Sequence, residues 1–211
     1  MASKRDLILQ AAVGMIAQSG VRGLRVEEIA AKAGASTGLI YYHFKDRAGL
    51  LRATLDYISD RADRYTAQAL ATAKGAAASG PGGAGASGPA DRDARSELEQ
   101  TLLLELQDTD EIRENSTAWG ELRASAIFET DLRERLEGAT AAWVAEMAER
   151  VALAQEAGQA REGVEPEDVA ERLTALVEGL SERWLSGTLG LERARDLLRG
   201  AIVAELGPGA R

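Results

Sequence analysis

An all-α fold follows from three features of the sequence. Apolar residues recur in steps of three and four along most of the chain, strand-like alternation is nowhere sustained, and Gly or Pro stands where helical patterns stop. The expected architecture is an N-terminal three-helix segment joined by a long helix to a C-terminal helical bundle, about nine helices in all. With 211 residues, 45% of them apolar, the chain is long enough to bury a sizeable core. It has no cysteine and a single histidine, His43. Disulfides, thiolate zinc sites and thiol nucleophiles are thereby excluded, and little remains for general-base chemistry. No catalytic residue, metal or cofactor is expected.

The elements read in order as follows. Ile8, Ala12, Met15 and Ile16 form one apolar stripe, and Ser19-Gly20 ends a first helix over about 3–19. Val26, Ile29, Ala30 and Ala33 repeat the spacing over a short second helix that Gly34 closes. Ser36 is placed to cap a third helix through its hydroxyl, with Ile40 and Phe44 as its buried pair. Two short helices around a turn containing Gly make a helix-turn-helix. After Asp46, Leu51, Leu55 and Ile58 lie on one face of a longer helix that runs past Tyr65 toward Ala73. Residues 75–93 are Gly, Ala, Ser and Pro with almost nothing to bury, and read as a flexible loop. Helical patterns resume with Leu98, Leu102, Leu103 and Leu106, then Trp119, Leu122 and Ala126 followed by Phe128. A long helix carries Leu132, Leu136, Trp143, Met147, Val151 and Ala154 and stops near Gly158. Pro166 opens a helix with Val169, Leu173, Leu176, Val177, Leu180 and Trp184, and Leu191 to Ile202 form the last one, before Gly207-Pro208-Gly209.

Charge is distributed unevenly. The formal net charge is −9, yet residues 1–52 carry eight basic and four acidic side chains, net +4, against −13 over the rest. A small basic head on an acidic body fits nucleic-acid binding confined to one end, because affinity for duplex rests on cations neutralising phosphates. No run of roughly 18 apolar residues exists, and the N-terminus leads straight into an amphipathic pattern, so a cytoplasmic protein with no membrane partner is expected.

The segment 20–51, GVRGLRVEEIAAKAGASTGLIYYHFKDRAGLL, carries Gly20, Ile29-Ala30, Ala33-Gly34-Ala35-Ser36, Gly38, Ile40-Tyr41, Tyr42-His43-Phe44, Arg47 and Leu50 at fixed spacing. It resembles the DNA-binding domain of the TetR/AcrR family over about a quarter of the chain. The resemblance implies that the third helix enters the major groove. Short residues at its start, Ser36, Thr37, Gly38 and Leu39, allow close approach, while Tyr41, Tyr42 and His43 reach phosphates or base edges. Arg47, where the family usually has Lys, is expected to clamp a phosphate, as are Lys4 and Arg5 from the N-terminal arm. Arg25 stands where a Thr or Ser commonly caps the second helix. It cannot accept the capping bond but can still reach DNA. On the residues alone, Tyr41 and Tyr42 could instead pack the small domain, and His43 could be a satisfied, partly buried histidine.

The C-terminal half is less explicit. WGELRASAI at 119–127 and LTALVEGLSERWLSG at 173–187 resemble the C-terminal domain of BetI-like members. That implies a homodimer through the last two helices, about 166–187 and 191–205, with Leu173, Leu176, Val177, Leu180, Trp184, Leu197 and Leu198 at the interface. The same residues could pack inside one subunit. Trp119, Phe128, Trp143 and Met147 are read as lying on inner helix faces and as candidates for a ligand pocket, although helical cores look alike. Nearby Glu121 or Glu146 could help such aromatics hold a lipophilic cation.

The expectation is therefore a DNA-binding domain at 1–52 and a ligand-binding and dimerisation domain at 53–211. Together they would form a repressor of palindromic, double-stranded operator DNA that an unknown small-molecule effector releases. Two alternatives stand beside it. One is a dimeric DNA-binding regulator without a sensor. The other is a helical-bundle enzyme, against which count the absence of an E-x-x-H pair, a nucleophile with a base, and a phosphate-cradling loop.

Overall fold

The computed structural model describes residues 3–78 and 94–207. Among the described residues there are nine helices and no strand: α1 Lys4–Ser19, α2 Val26–Ala33, α3 Thr37–Phe44, α4 Arg47–Ala78, α5 Ala94–Leu104, α6 Asp110–Ala126, α7 Thr130–Glu156, α8 Pro166–Leu185 and α9 Leu191–Leu206. None of them is long and apolar enough to cross a membrane. The expected loop at 75–93 is corrected at its start. α4 continues to Ala78, as its Ala-rich end favours, and the rest of that stretch lies outside the described residues.

The chain divides into two compact units, one of residues 1–62 and 108–140, the other of residues 63–107 and 141–211. In the first, α1 is the central element. Ser3 caps it with a reciprocal box, its hydroxyl accepting from the Asp6 N–H at 3.1 Å while the Asp6 carboxylate accepts from the Ser3 N–H at 3.2 Å. The sequence pattern suggests a single stripe, yet Leu9, Ala11, Val13 and Gly14 are buried as well as Ile8, Ala12 and Ile16. The reason is that α2, α3 and α6 all pack on α1. Ile29, Ile40, Phe44, Leu50, Leu51, Leu55, Ile58, Leu122 and Leu132 complete this core. Arg61 of α4 ties to α6, meeting Glu111 at 3.0 Å and Glu114 at 2.9 Å.

In the second unit Leu98, Leu102, Leu106, Met147, Val151, Val169, Leu173, Val177, Leu198, Ile202 and Leu206 are buried. α9 packs on α8 and α5. The C-terminal carbonyls of α9 are capped by Arg161, whose side chain donates to Glu205 O at 3.0 Å and Ala204 O at 2.9 Å and whose N–H donates to Leu206 O at 2.9 Å.

Candidate nucleic-acid interface

The helix-turn-helix is built by local backbone chemistry. Gly34 sits at φ 58°, ψ 41°, left-handed, and the α2 end closes with two bonds: Gly34 N–H to Ala31 O at 3.2 Å and Ala35 N–H to Ala30 O at 2.9 Å. This pair is the Schellman arrangement, which turns the chain sharply with its carbonyls satisfied. Ser36 then caps α3, its hydroxyl accepting from the Leu39 N–H at 3.2 Å. Arg25 makes no side-chain cap at the start of α2, as its chemistry requires, and pairs with Glu28 at 3.4 Å instead.

The buried pair Ile40 and Phe44 holds one face of α3 on the core. The opposite face is open: Tyr41 is 48% and Tyr42 81% exposed, and Gly38 and His43 are exposed too. Two phenol rings left in water carry an unfavourable apolar area, so they do not serve to pack the domain. His43 stacks edge-on against Tyr42 with ring centroids 5.4 Å apart. Thr37 and Leu39 are half-buried.

The exit from α3 is tight. Lys45 adopts φ 67°, ψ −55°, and the Asp46 N–H donates to Phe44 O at 2.8 Å across it, a γ-turn. Asp46 caps α4 through its carboxylate, which accepts from the Gly49 N–H at 2.6 Å. A Cβ on Gly49 would stand 2.1 Å from Phe44 O, so the close approach of the α3 carbonyl to the first turn of α4 demands glycine.

The candidate phosphate clamps are largely engaged within the unit. Lys4 donates to Ala33 O at 3.4 Å and Gly34 O at 3.2 Å, capping α2. The Arg5 guanidinium lies 5.6 Å from the Phe44 ring centroid. Arg47 donates to Val21 O at 2.6 Å and meets Glu129 at 3.6 Å. Val21 is gripped from its other side as well, its N–H donating to the Glu121 carboxylate of α6 at 3.2 Å. The same carboxylate lies 2.7 Å from where a Cβ on Gly20 would sit, and Gly20 already requires φ 69°. Glu121, read from sequence as a possible partner for a cation, thus fastens the α1–α2 turn to α6. Sequence reasoning missed this role because the two residues stand 100 positions apart.

The ligand candidates fall in both units, Trp119 and Phe128 in the first and Trp143 and Met147 in the second. Trp119 is half-buried against the core of the first unit, with Arg123 5.6 Å from its ring. Phe128 is corrected: α6 ends at Ala126, so the residue leaves the helical face and is 76% exposed, with Arg22 6.0 Å from its ring. Trp143 and Met147 belong to α7 in the second unit, half-buried and fully buried respectively. That unit holds an acidic group the sequence did not single out. Glu105, just past α5, has its carboxyl pushed up to about 7, first by burial and then by the charges of Asp63 and Glu146. Glu146 pairs with Arg150 at 2.8 Å. Of the interface candidates, Leu173, Val177, Leu180, Trp184 and Leu198 are buried within the chain, while Leu176 and Leu197 are only partly covered. Val203 is 51% exposed, and a Cβ on Gly179 or Gly200 would meet no atom within 4 Å.

Comparison with known proteins agrees with this geometry. Residues 8–54 match the family model of bacterial regulatory proteins of the tetR family, and residues 94–207 that of the BetI-type transcriptional repressor C-terminal domain. A putative TetR-family transcriptional regulator from Rhodococcus sp. is 45% identical, with a TM-score of 0.82 over 98% of this chain and 100% of that one. A putative transcriptional regulator from Saccharomonospora viridis, solved in complex with choline, is 25% identical with a TM-score of 0.75, covering 98% of each chain. The HTH-type transcriptional regulator BetI of Serratia proteamaculans (strain 568) is 34% identical over 55 residues, 26% of this chain and 28% of that protein. The likeness to such curated relatives thus spans little more than a quarter of their length. The chain belongs to the TetR family of transcriptional regulators, with a helix-turn-helix DNA-binding domain and a C-terminal domain of the BetI type.

Proposed function

We propose that this regulator is a cytoplasmic repressor that binds a palindromic operator as a homodimer and is released by a small molecule. The observation that carries the reading is the open face of α3, where Gly38, Tyr41, Tyr42 and His43 are exposed while Ile40 and Phe44 anchor the helix. Residues 1–52 read DNA: the small residues Thr37 and Gly38 approach the groove, and Tyr41, Tyr42 and His43 reach phosphates and base edges. Residues 53–211 sense the effector and dimerise. The dimer surface lies on the outward sides of α8 and α9, where Leu176, Leu197 and Val203 keep exposure and Gly179 and Gly200 leave room for a partner helix. Two-fold symmetry of the protein then matches two half-sites.

The effector is an organic cation. Support comes from three carboxylates of the second unit, Asp63, Glu105 and Glu146: the charges of Asp63 and Glu146 act on Glu105, and Glu146 also pairs with Arg150. Trp143 stands one turn before Glu146 on α7, an aromatic face at the right distance along the helix for a quaternary ammonium. Choline, bound by the Saccharomonospora viridis protein, is the first compound to try.

The test is reciprocity. An operator is selected from random duplex, and choline is titrated into the protein with and without it. A ten- to hundredfold weaker choline affinity on DNA corresponds to about 1.4–2.7 kcal/mol of coupling. Equal affinities would reject choline as the releasing ligand. Failure of every amine tried, alongside tight operator binding, would favour a regulator without this sensor.

A further inference from the structure

Lys45 stands apart from the other cations of the reading head. Its φ of 67° and ψ of −55° are a conformation that a residue with a Cβ adopts only under strain, whereas glycine takes it freely. It is the only residue other than glycine with positive φ among those described. The strain is imposed from both sides. The Lys45 N–H still completes α3, donating to Tyr41 O at 2.8 Å, while the Asp46 N–H turns back to Phe44 O at 2.8 Å. That carbonyl is pressed against Gly49 in the first turn of α4, and Asp46 is held by its own cap. The backbone direction at Lys45 is therefore fixed, and with it the point where the side chain leaves the surface.

The side chain itself is exposed and follows directly on the open stretch Tyr41, Tyr42 and His43. Among the described residues its ammonium group, like that of Lys32 on α2, makes no ion pair or hydrogen bond, whereas Lys4, Arg25 and Arg47 are each engaged with carbonyls or carboxylates, and Arg5 lies over the Phe44 ring; unlike Lys32, Lys45 directly continues the open face of α3. The one acid beside it, Asp46, spends its carboxylate on the Gly49 N–H. A cation with free donors, aimed by a rigid turn and placed at the end of the exposed recognition face, has the properties of a phosphate contact.

We propose that Lys45 is a DNA-phosphate contact of this regulator, and that the strained turn serves to position its ammonium group. The proposal rests on the reading of α3 as the recognition helix. Phosphate contacts are blind to sequence, so the probe is a random duplex of about three helical turns, with binding measured across salt concentrations. K45G removes the charge and relaxes the turn, K45A removes the charge and keeps the strain, and K45R keeps both charge and strain. Each lost contact lowers the slope of log K against log salt by about 0.9 per protomer bound. Equivalently, the ratio of wild-type to variant affinity shrinks by about 3.5-fold between 50 and 200 mM salt. K45G and K45A should both show this loss, K45R should not, and K45G should melt no lower than the wild type. Loss of DNA affinity without loss of stability is a combination that a purely structural lysine does not give. Wild-type slope in both K45G and K45A overturns the contact. No duplex binding by the wild type overturns the recognition-helix reading and the contact together.

Discussion

Replacing Glu105 by Gln tests the acidic site directly. Its carboxyl is raised from an ordinary value of 4.5 to about 7, because burial and the neighbouring Asp63 and Glu146 all disfavour the charge. The folded protein therefore holds a proton that the unfolded chain has already released between about pH 4.5 and pH 7. Over that window the unfolded state binds fewer protons, so stability falls as pH rises and levels off above about pH 7. The full shift corresponds to about 3 kcal/mol, an upper limit for a group that keeps some contact with solvent. Glu105→Gln removes the titration while keeping the size of the side chain. It should leave melting unchanged at pH 4.5 and raise it at pH 8, by about 5–10 °C if most of the shift is realised. Circular dichroism melts at both values measure this. Equal effects at the two pH values, or no gain at pH 8, would refute the burial and repulsion inferred for Glu105. A cation seated beside the carboxylates makes a further demand. Its binding should release a proton near pH 7, read by calorimetry in buffers of different ionisation heat, and the release should vanish in Glu105→Gln.

Three other outcomes follow from the geometry. Gly49→Ala would normally favour a helix by up to about 1 kcal/mol. Here its Cβ would fall 2.1 Å from Phe44 O, so a lower melting temperature and weaker duplex binding are expected, and wild-type stability would contradict the packing of α3 on α4. Arg47→Ala breaks the 2.6 Å bond to Val21 O and should destabilise the first unit by about 1–3 kcal/mol. Its salt slope on random duplex should match the wild type, and a drop of about 0.9 would return Arg47 to the phosphates. Leu176→Glu, on the partly covered side of α8, should yield folded monomers in sedimentation with an unchanged circular dichroism spectrum. A dimer that survives this change excludes that surface as the interface.

Much of the fold was legible because local signals set it. Ser36 as cap, Gly34 as left-handed stop, Pro166 at the first turn of α8 and Gly207 after α9 each act within a few residues, and each stands where the sequence pattern requires. α6 was only half visible. Its opening turn, capped by Thr109 and carrying Asp110 and Glu111, is polar and leaves little apolar periodicity until Ala118.

What periodicity cannot report is how many neighbours share a face, and which side chains neutralise one another across the chain. α1 shows the first limit, since three helices pack on it and bury residues that a single stripe would leave in water. α8 shows its mirror image. Leu173, Val177, Leu180 and Trp184 follow the helical period so closely that they are buried within the chain itself, and the partly covered Leu176 and Gly179 lie off that stripe. The second limit governs the basic head. A net charge of +4 over residues 1–52 locates a DNA-binding end, but a cation that already holds a carbonyl, a carboxylate or a ring of its own domain must give up or share that contact to hold a phosphate. Affinity for duplex then depends less on the number of cations than on those the fold leaves unengaged. In this regulator the backbone geometry at Lys45 separates a cation available to DNA from Arg47, two residues away, which the fold has already engaged.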